Sequence, residues 1–380
     1  MMAKLGDICT FQSGGTPSKS NSEYFNGSIP WITTVALTGD YIDKNDAVDW
    51  ITDKAIQESA AKIVPENSIM VGTRVGIGKV AINAVPMSTS QDIVSLINID
   101  DTKWDKKFLC KVILARNNVL LSQARGATIK GIKIDTLAKL EIPEIPLNEQ
   151  RRISAVLDKV SGLIAKRREQ LDKLDELVKA RFVEMFGDPS ANSQWPTQKL
   201  SKLGELNRGV SKHRPRNDPD LLGGPYPLIQ TGDVSNSGLY ISDYSSTYSE
   251  LGLAQSRLWK EGTLCITIAA NIAQTSILAF DACFPDSVVG FLPGEKTNAV
   301  FVHYWFSFFQ KILEEQAPQV AQKNINLKIL SDLDVIVPPY NLQADFSDFV
   351  GQIEKSKLTI QQSLDRLEVL KKALMQQYFG

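Results

Sequence analysis

The feature that most constrains this chain is that it contains itself twice. Residues Ile132 to Gly187 align with Ile325 to Gly380 at a constant offset of 193, without a gap, and 15 of the 56 positions are identical. The identities include Leu137/Leu330, Pro146/Pro339, Asn148/Asn341, Gln150/Gln343, Leu171/Leu364, Leu174/Leu367 and Phe186/Phe379. Upstream the likeness is weaker and the offset drifts. Lys4-Leu5-Gly6 matches Lys202-Leu203-Gly204 at 198, Ile29-Pro30-Trp31-Ile32 resembles Tyr226-Pro227-Leu228-Ile229 at 197, and Pro65 to Met70 resembles Lys260 to Cys265 at 195. A drifting offset means loops of unequal length on a shared framework. A period near 190 residues is far longer than a solenoid repeat and implies a duplicated domain in a pseudo-twofold molecule.

The repeated tails read as helices. After Leu140 to Pro146 comes Asn148, a good N-cap residue, followed by apolar residues at Ile153, Leu157, Val160, Ile164, Leu171, Leu174 and Val178, broken only by Arg167. The second tail carries Phe346, Val350, Ile353, Ile360, Leu364, Leu367 and Leu374, with Lys357 as its polar break. Such a helix is about 57 Å long at 1.5 Å per residue and cannot bury its stripe alone. The two tails are therefore expected to pair as an antiparallel intramolecular coiled coil. This divides the chain into a globular domain over 1–147, a helix over 148–187, a second domain over 188–340 and a second helix over 341–380.

The globular parts read as α+β. Runs such as Ser68 to Val71, Lys79 to Ile82 and Ile93 to Ile97, and in the second copy Gly262 to Ile268 and Thr275 to Phe280, predict strands of a curved antiparallel sheet. Helices are expected around Lys106 to Leu121 and Ala299 to Gln316.

Chemistry of catalysis is hard to find. The chain has two histidines, His213 and His303, so neither a histidine-based metal cluster nor a conventional triad is available. Gly72 to Val80 superficially resembles a phosphate loop, but its first glycine is one residue early and Val80 stands where Ser or Thr would hold magnesium, so a strand turn is the better reading. Val337-Pro338-Pro339-Tyr340 lacks the leading Asn or Asp of an amino-methyltransferase motif and reads as a helix-start turn. The chain is read as non-catalytic, with no metal site and no cofactor of its own. No apolar run is long enough to span a membrane, no signal peptide is visible, and the four scattered cysteines suit a reducing cytoplasm.

Binding chemistry is present in matching places. Lys plus Arg is 42 against 43 Asp plus Glu, so a chain this neutral binds DNA only with uneven charge or with help from a partner. Lys199 to Arg216 is locally basic, with Lys212, His213, Arg214 and Arg216 as candidate phosphate contacts. The corresponding first loop offers Gly14, Gly15, Thr16, Ser18 and Lys19, where glycines would let backbone amides approach phosphate closely. Each loop is followed by a strand with small polar residues, Thr33 and Thr34 in one copy and Gln230, Thr231 and Asp233 in the other. Thr73, Arg74, Lys79 and Gln91 in the first copy, and Asn271 and Gln274 in the second, complete the set; Gln reaches adenine bidentately.

These segments resemble the DNA-specificity subunit of type I restriction–modification enzymes. The likeness is carried by Phe11-Gln12-Ser13-Gly14-Gly15-Thr16-Pro17-Ser18, by Ile29-Pro30-Trp31-Ile32, and most specifically by the Pro-x-x-x-Gln helix start (Pro146 to Gln150 and Pro339 to Gln343) followed by a leucine stripe in both copies. It covers nearly the whole chain. The second copy departs at Pro339-Tyr340-Asn341-Leu342-Gln343, which lacks the acidic residue, and at Ser211 to Arg216, which replaces the Gly-Gly-Thr-Pro-Ser loop. The resemblance implies two target-recognition domains, each reading half of a bipartite double-stranded DNA site, with the coiled coil setting the spacer. It implies two methyltransferase subunits docked on the helices, where Arg152, Lys166, Arg167, Arg168, Lys179, Lys357 and Lys372 are candidate contacts, and motor–nuclease restriction subunits beyond them. S-adenosylmethionine, ATP and Mg²⁺ would belong to those partners. The alternative is a structural interaction protein presenting two ligand-binding domains on a coiled-coil stalk.

Overall fold

A computed structural model describes residues 1–39, 41–124, 131–189, 194–213, 215–269, 272–309 and 325–380. The chain forms two units, one of Met1–Arg168 with Gln362–Gly380 and one of Glu169–Gln361. The first unit therefore takes its second long helical segment from the far end of the sequence, whereas the second unit is one continuous stretch with a helical segment at each end.

The first unit holds three sheets. A five-stranded sheet runs in the order Thr10–Ser13, Ile93–Ile97, Ile69–Gly72, Val80–Asn83, Tyr41–Ile42, antiparallel except for the last pair. A four-stranded sheet runs Asp49–Ile51, Phe25–Ile32, Met87–Thr89, Ile63–Val64, with its central pair parallel. Met2–Lys4 pairs with Glu141–Pro143. The second unit repeats every pairing with the same sense: Gly204–Arg208, Val288–Pro293, Leu264–Thr267, Thr275–Leu278, Tyr240–Ile241; then Ser246–Tyr248, Leu222–Leu228, Ala282–Cys283, Leu258–Trp259; then Thr197–Lys199 with Asp334–Ile336. The expected single antiparallel sheet is thus corrected to two mixed sheets and a short ribbon. The parallel pairs arise where loops carry the chain across before it re-enters a sheet, which alternation within one strand cannot reveal.

The strand pairings also correct one alignment. Leu5 donates its N–H to Leu140 O, and Leu200 donates to Leu333 O, both at 2.9 Å. Leu200, not Leu203, is the counterpart of Leu5, and most framework strands follow an offset of 195. The glycine-bearing segment after Ile69–Gly72 is a turn between antiparallel strands, as expected: Gly72 donates to Lys79 O and Gly78 to Gly72 O, both at 2.9 Å. Gly78 adopts φ +75°, and a Cβ there would meet Asn117 Oδ1 at 2.2 Å.

The long helices are Leu147–Phe186 and Tyr340–Phe379. The predicted N-cap at Asn148 is displaced. Pro146 and Pro339 carbonyls accept the first helical N–H groups, so proline ends the extended segment and the helix starts directly behind it. Gln150 and Gln343, both buried, fix this start. Gln150 Nε2 donates to the carbonyls of Lys103 and Ile145, each at 2.9 Å, while its Oε1 accepts from Asp105 N–H. Gln343 Nε2 donates to Lys296 and Pro338 carbonyls, and its Oε1 accepts from Thr297 Oγ1 at 2.9 Å. One turn later Ser154 donates to Asp105, the cap of helix Lys106–Ala115, and Ser347 donates to Asn298, the cap of helix Ala299–Phe306. The expected longer helices end earlier: a second short helix, Asn117–Ser122, follows the first, and the residues after Phe309 up to 324 lie outside the described residues.

Within each unit the two long helices run antiparallel. Arg168 bonds Glu368 at 2.7 Å in the first unit. In the second, Lys357 bonds Asp175 at 2.8 Å, and Phe182 meets Phe346 with ring centroids 5.4 Å apart. The apolar stripes do more than pair the helices. Ile153, Leu157, Leu374 and Phe379 join the core around Phe108, while Val178, Phe182, Phe346 and Val350 join the core around Phe301. No helix among the described residues is long and apolar enough to cross a membrane.

Candidate nucleic-acid interface

In the first unit three of the candidate segments converge on a fourth, the turn Ser90 to Asp92. Gly14 N–H donates to Ile93 O at 3.0 Å and Gly15 N–H to Thr89 O at 2.9 Å. Ser90 N–H donates to Ile32 O at 2.9 Å, and Thr73 N–H to Asp92 O at 2.8 Å. Trp31, buried, donates its indole N–H to Gly15 O at 3.1 Å and pins the loop from below. Ser18, Lys19, Arg74, Lys79 and Gln91 are exposed, and Thr16 and Thr33 are half-buried. The structure brings these segments to one end of the sheets because adjacent strand ends deliver them there.

Three expectations change. The amides of Gly14 and Gly15 are already bonded within the chain, so they do not stand open for phosphate. A Cβ on Gly14 would lie 2.2 Å from Ser90 O, and one on its counterpart Gly209 would lie 2.3 Å from Phe284 O, so these glycines are required by close backbone packing. Thr34 and Thr73 are buried, and the Thr73 hydroxyl donates to Asp92 O at 3.1 Å. Arg74 stands 3.8 Å from the Asp92 carboxylate, a loose and exposed pair.

In the second unit Gly209 N–H donates to Val288 O at 2.8 Å, placing the basic loop where the glycine loop lies in the first. The Gln255 side-chain oxygen accepts from the backbone N–H groups of Lys212 and His213. His213 Nε2 lies 3.0 Å from Asp218, and Asp218 is held below the usual carboxylate range by the Asp220 N–H and by His213. Arg216 pairs with Asp286, whose carbonyl also accepts Arg208 Nε. The strand Leu222–Leu228 stops before Gln230, which instead precedes helix Thr231–Asn236. Asp233 caps this helix: it accepts from Gln230 N–H at 2.8 Å and from Ser245 at 3.1 Å. Arg216, Gln230 and Thr231 line one cleft of about 300 Å³. Gln274 is exposed and lines a separate cavity of about 580 Å³ with His303, Lys179 and Lys357. Arg214 and Asn271 lie outside the described residues.

Among the helical candidates, Lys357 faces inward. It pairs with Asp175 and Glu354, both at 2.8 Å, and although burial opposes its charge these carboxylates keep its pKa above the ordinary value. In this unit it neutralises two acids. Arg152 pairs with Glu149 one turn away, and Arg168 with Glu368. Lys166, Lys179 and Lys372 are exposed and Arg167 is half-buried. Among the described residues no group of three or more His, Cys, Asp or Glu is placed to hold a metal.

The sequence reading missed a cleft of about 780 Å³ in the first unit, lined by Arg74 with Lys133 and Lys139. These lysines lie some 60 residues from Arg74 and belong to no basic run. Their one sequence signal is that, inside the best-aligned block, Lys133 and Lys139 face Asn326 and Asp332.

The sequence pattern of the family described as the type I restriction modification DNA specificity domain matches residues 1–175 and again 192–371. The chain is 31% identical over 407 aligned positions to the type I restriction enzyme MjaIX specificity subunit of Methanocaldococcus jannaschii, covering 98% of this chain and 90% of that one. Its fold resembles that of a type I restriction–modification specificity (S) subunit from M. genitalium, with a TM-score of 0.56 and 17% identity over 100% of this chain and 96% of that one. A chain from a structural study of assembly and conformational transition in a type I system gives a TM-score of 0.61 at 18% identity over 100% and 97%. With two matching copies of the domain and a full-length relative, the chain belongs to the type I restriction–modification DNA-specificity family.

Proposed function

We propose that this chain supplies the DNA sequence specificity of a type I restriction–modification enzyme, each unit reading one half of a bipartite, asymmetric target. The observation that carries this reading is a pair of loop clusters on one framework with different side chains. Around Ser90 to Asp92 the first unit offers Thr16, Ser18, Lys19, Thr33, Arg74 and Gln91. At the matching place the second offers Lys212, His213, Arg216, Gln230 and Thr231. A shared frame with divergent polar groups suits two readers of different base sequences.

Specificity subunits are not themselves enzymes. In this reading methylation at adenine N6 and DNA cleavage belong to methyltransferase and restriction subunits, which would hold S-adenosylmethionine, ATP and Mg²⁺. Two methyltransferase subunits would dock on the long helices, with Lys166, Arg167, Lys179 and Lys372 among the groups offered to them. The setting would be the cytoplasm. The stalk-like interaction protein has no observation in its favour.

The test is a domain exchange. Replacing residues 1–147 with the corresponding part of a relative, in the complex with methyltransferase subunits, is expected to change one half of the methylated motif and leave the other half and the spacer intact. A motif changed in both halves, or in neither, would contradict the proposal.

A further inference from the structure

We infer that the cleft of Arg74, Lys133 and Lys139 is a DNA phosphate seat of the first unit, built from three cations that the second unit does not repeat. The inference rests on the DNA-reading function proposed above and adds which cations of this unit meet the backbone.

The cleft, of about 780 Å³, is the right kind of place. It adjoins the reading cluster: Ile132 N–H donates to Thr73 O, Thr73 N–H donates to Asp92 O, both at 2.8 Å, and Arg74 leans on the Asp92 carboxylate at 3.8 Å. Among the described residues its walls carry three exposed cations against one acid, Asp135, together with the hydrogen-bonding side chains of Ser122, Gln123 and Thr136. Exposed cations with short polar side chains between them suit phosphate oxygens. The pairing of Arg74 with Asp92 is long enough to be exchanged for a phosphate at little cost.

Framework equivalence sharpens the point. The strand offset of 195 carries Arg74 to Ala269, and the helix-block offset of 193 carries Lys133 to Asn326 and Lys139 to Asp332. All three cations are lost and one becomes an acid, while the acid Asp135 becomes Lys328, so three cations and one acid give way to one of each. In compensation the second unit places Lys212 and Arg216 in the loop that follows Gly209, where the first unit has a hydroxyl-bearing loop with one cation, Lys19. The two units thus hold the DNA backbone from different parts of the same frame. A common phosphate-binding role of the fold would have kept the cations in both copies.

Phosphate contact and base reading are separable by salt. Each phosphate neutralised contributes about 0.9 to the slope of log affinity against log salt on B-DNA. The experiment uses the full chain assembled with its methyltransferase subunits, a duplex carrying the methylated target and a scrambled duplex, across a fourfold range of salt. For Arg74→Gln/Lys133→Gln/Lys139→Gln the slope is expected to fall by about two to three, so that affinity declines roughly 40-fold less over that range than for the unchanged chain. The methylated motif is expected to stay the same, and Lys133→Arg/Lys139→Arg to keep the original slope. An unchanged slope in the neutral variant, with target preference intact, overturns the seat and leaves the reading function standing. So does a motif altered in one half, which would make these residues base readers. If the unchanged complex fails to distinguish target from scrambled duplex, the reading function falls and the seat with it.

Discussion

Phe186 meets Phe301 edge-on with ring centroids 5.0 Å apart, and at the equivalent place Phe379 meets Phe108 at 5.6 Å. Each pair joins the last turn of one long helix to a helix of a globular domain, Ala299–Phe306 for Phe186 and Lys106–Ala115 for Phe379. Phe186 and Phe379 are one of the identities of the repeat, and both are buried. The first unit, Met1–Arg168, is therefore completed by a segment from the far end of the chain, Gln362–Gly380.

Removing either ring is expected to act locally. Phe379→Ala should destabilise the first unit by about 3–5 kcal/mol and Phe186→Ala the second by a similar amount. Differential scanning calorimetry of the two variants checks this: each should lower a different transition. By contrast Arg168→Ala, which breaks an exposed pair with Glu368, should cost less than about 1 kcal/mol.

Gln150 is the second sensitive point. Its amide satisfies two carbonyls and one N–H that are otherwise inside the protein. Gln150→Ala should cost about 2–4 kcal/mol, because three backbone groups lose their partner at once. Gln343→Ala should do the same in the second unit. Urea unfolding of both variants measures the loss; a loss below 0.5 kcal/mol would mean that water replaces the amide freely.

The Pro-x-x-x-Gln start illustrates what was legible in the sequence. The repeat, the helices and their antiparallel sense follow from identities and apolar spacing. That Gln150 and Gln343 are clasps rather than caps does not, because their partners lie 45 to 47 residues away. The loops that come together were recognised as segments, since glycines and prolines mark them. Which of their groups remain open was not legible. Thr34 is buried and Thr33 half-buried although they are neighbours of one type, and Lys133 and Lys139 reach Arg74 through folding alone.

His303 predicts a pH dependence. Burial, with Lys357 nearby, pushes its pKa from the ordinary 6.5 down to about 4. Its Nδ1 lies 3.0 Å from Thr275 Oγ1. Between these values the unfolded chain binds a proton that the folded chain refuses, so stability is complete above about pH 6.5 and declines as the pH falls toward 4. The loss from this residue should be roughly 3 kcal/mol at the acid end. His303→Gln should remove that share of the decline, read as melting temperature against pH.

The long helices give a length prediction. One heptad inserted in each helix adds about 10 Å at 1.5 Å per residue, and B-DNA rises about 3.4 Å per base pair. Inserting a heptad after Arg168 and another after Gln361 should lengthen the spacer of the recognised site by a few base pairs and leave both half-sites unchanged. Altered half-sites would contradict the use of the helices as a ruler.

The most direct test of DNA-sequence specificity is methylome sequencing of cells expressing this chain with and without a cognate methyltransferase subunit. A bipartite, asymmetric adenine-methylation motif that appears only when both are present is the predicted result. A soluble complex that leaves no such motif would contradict it.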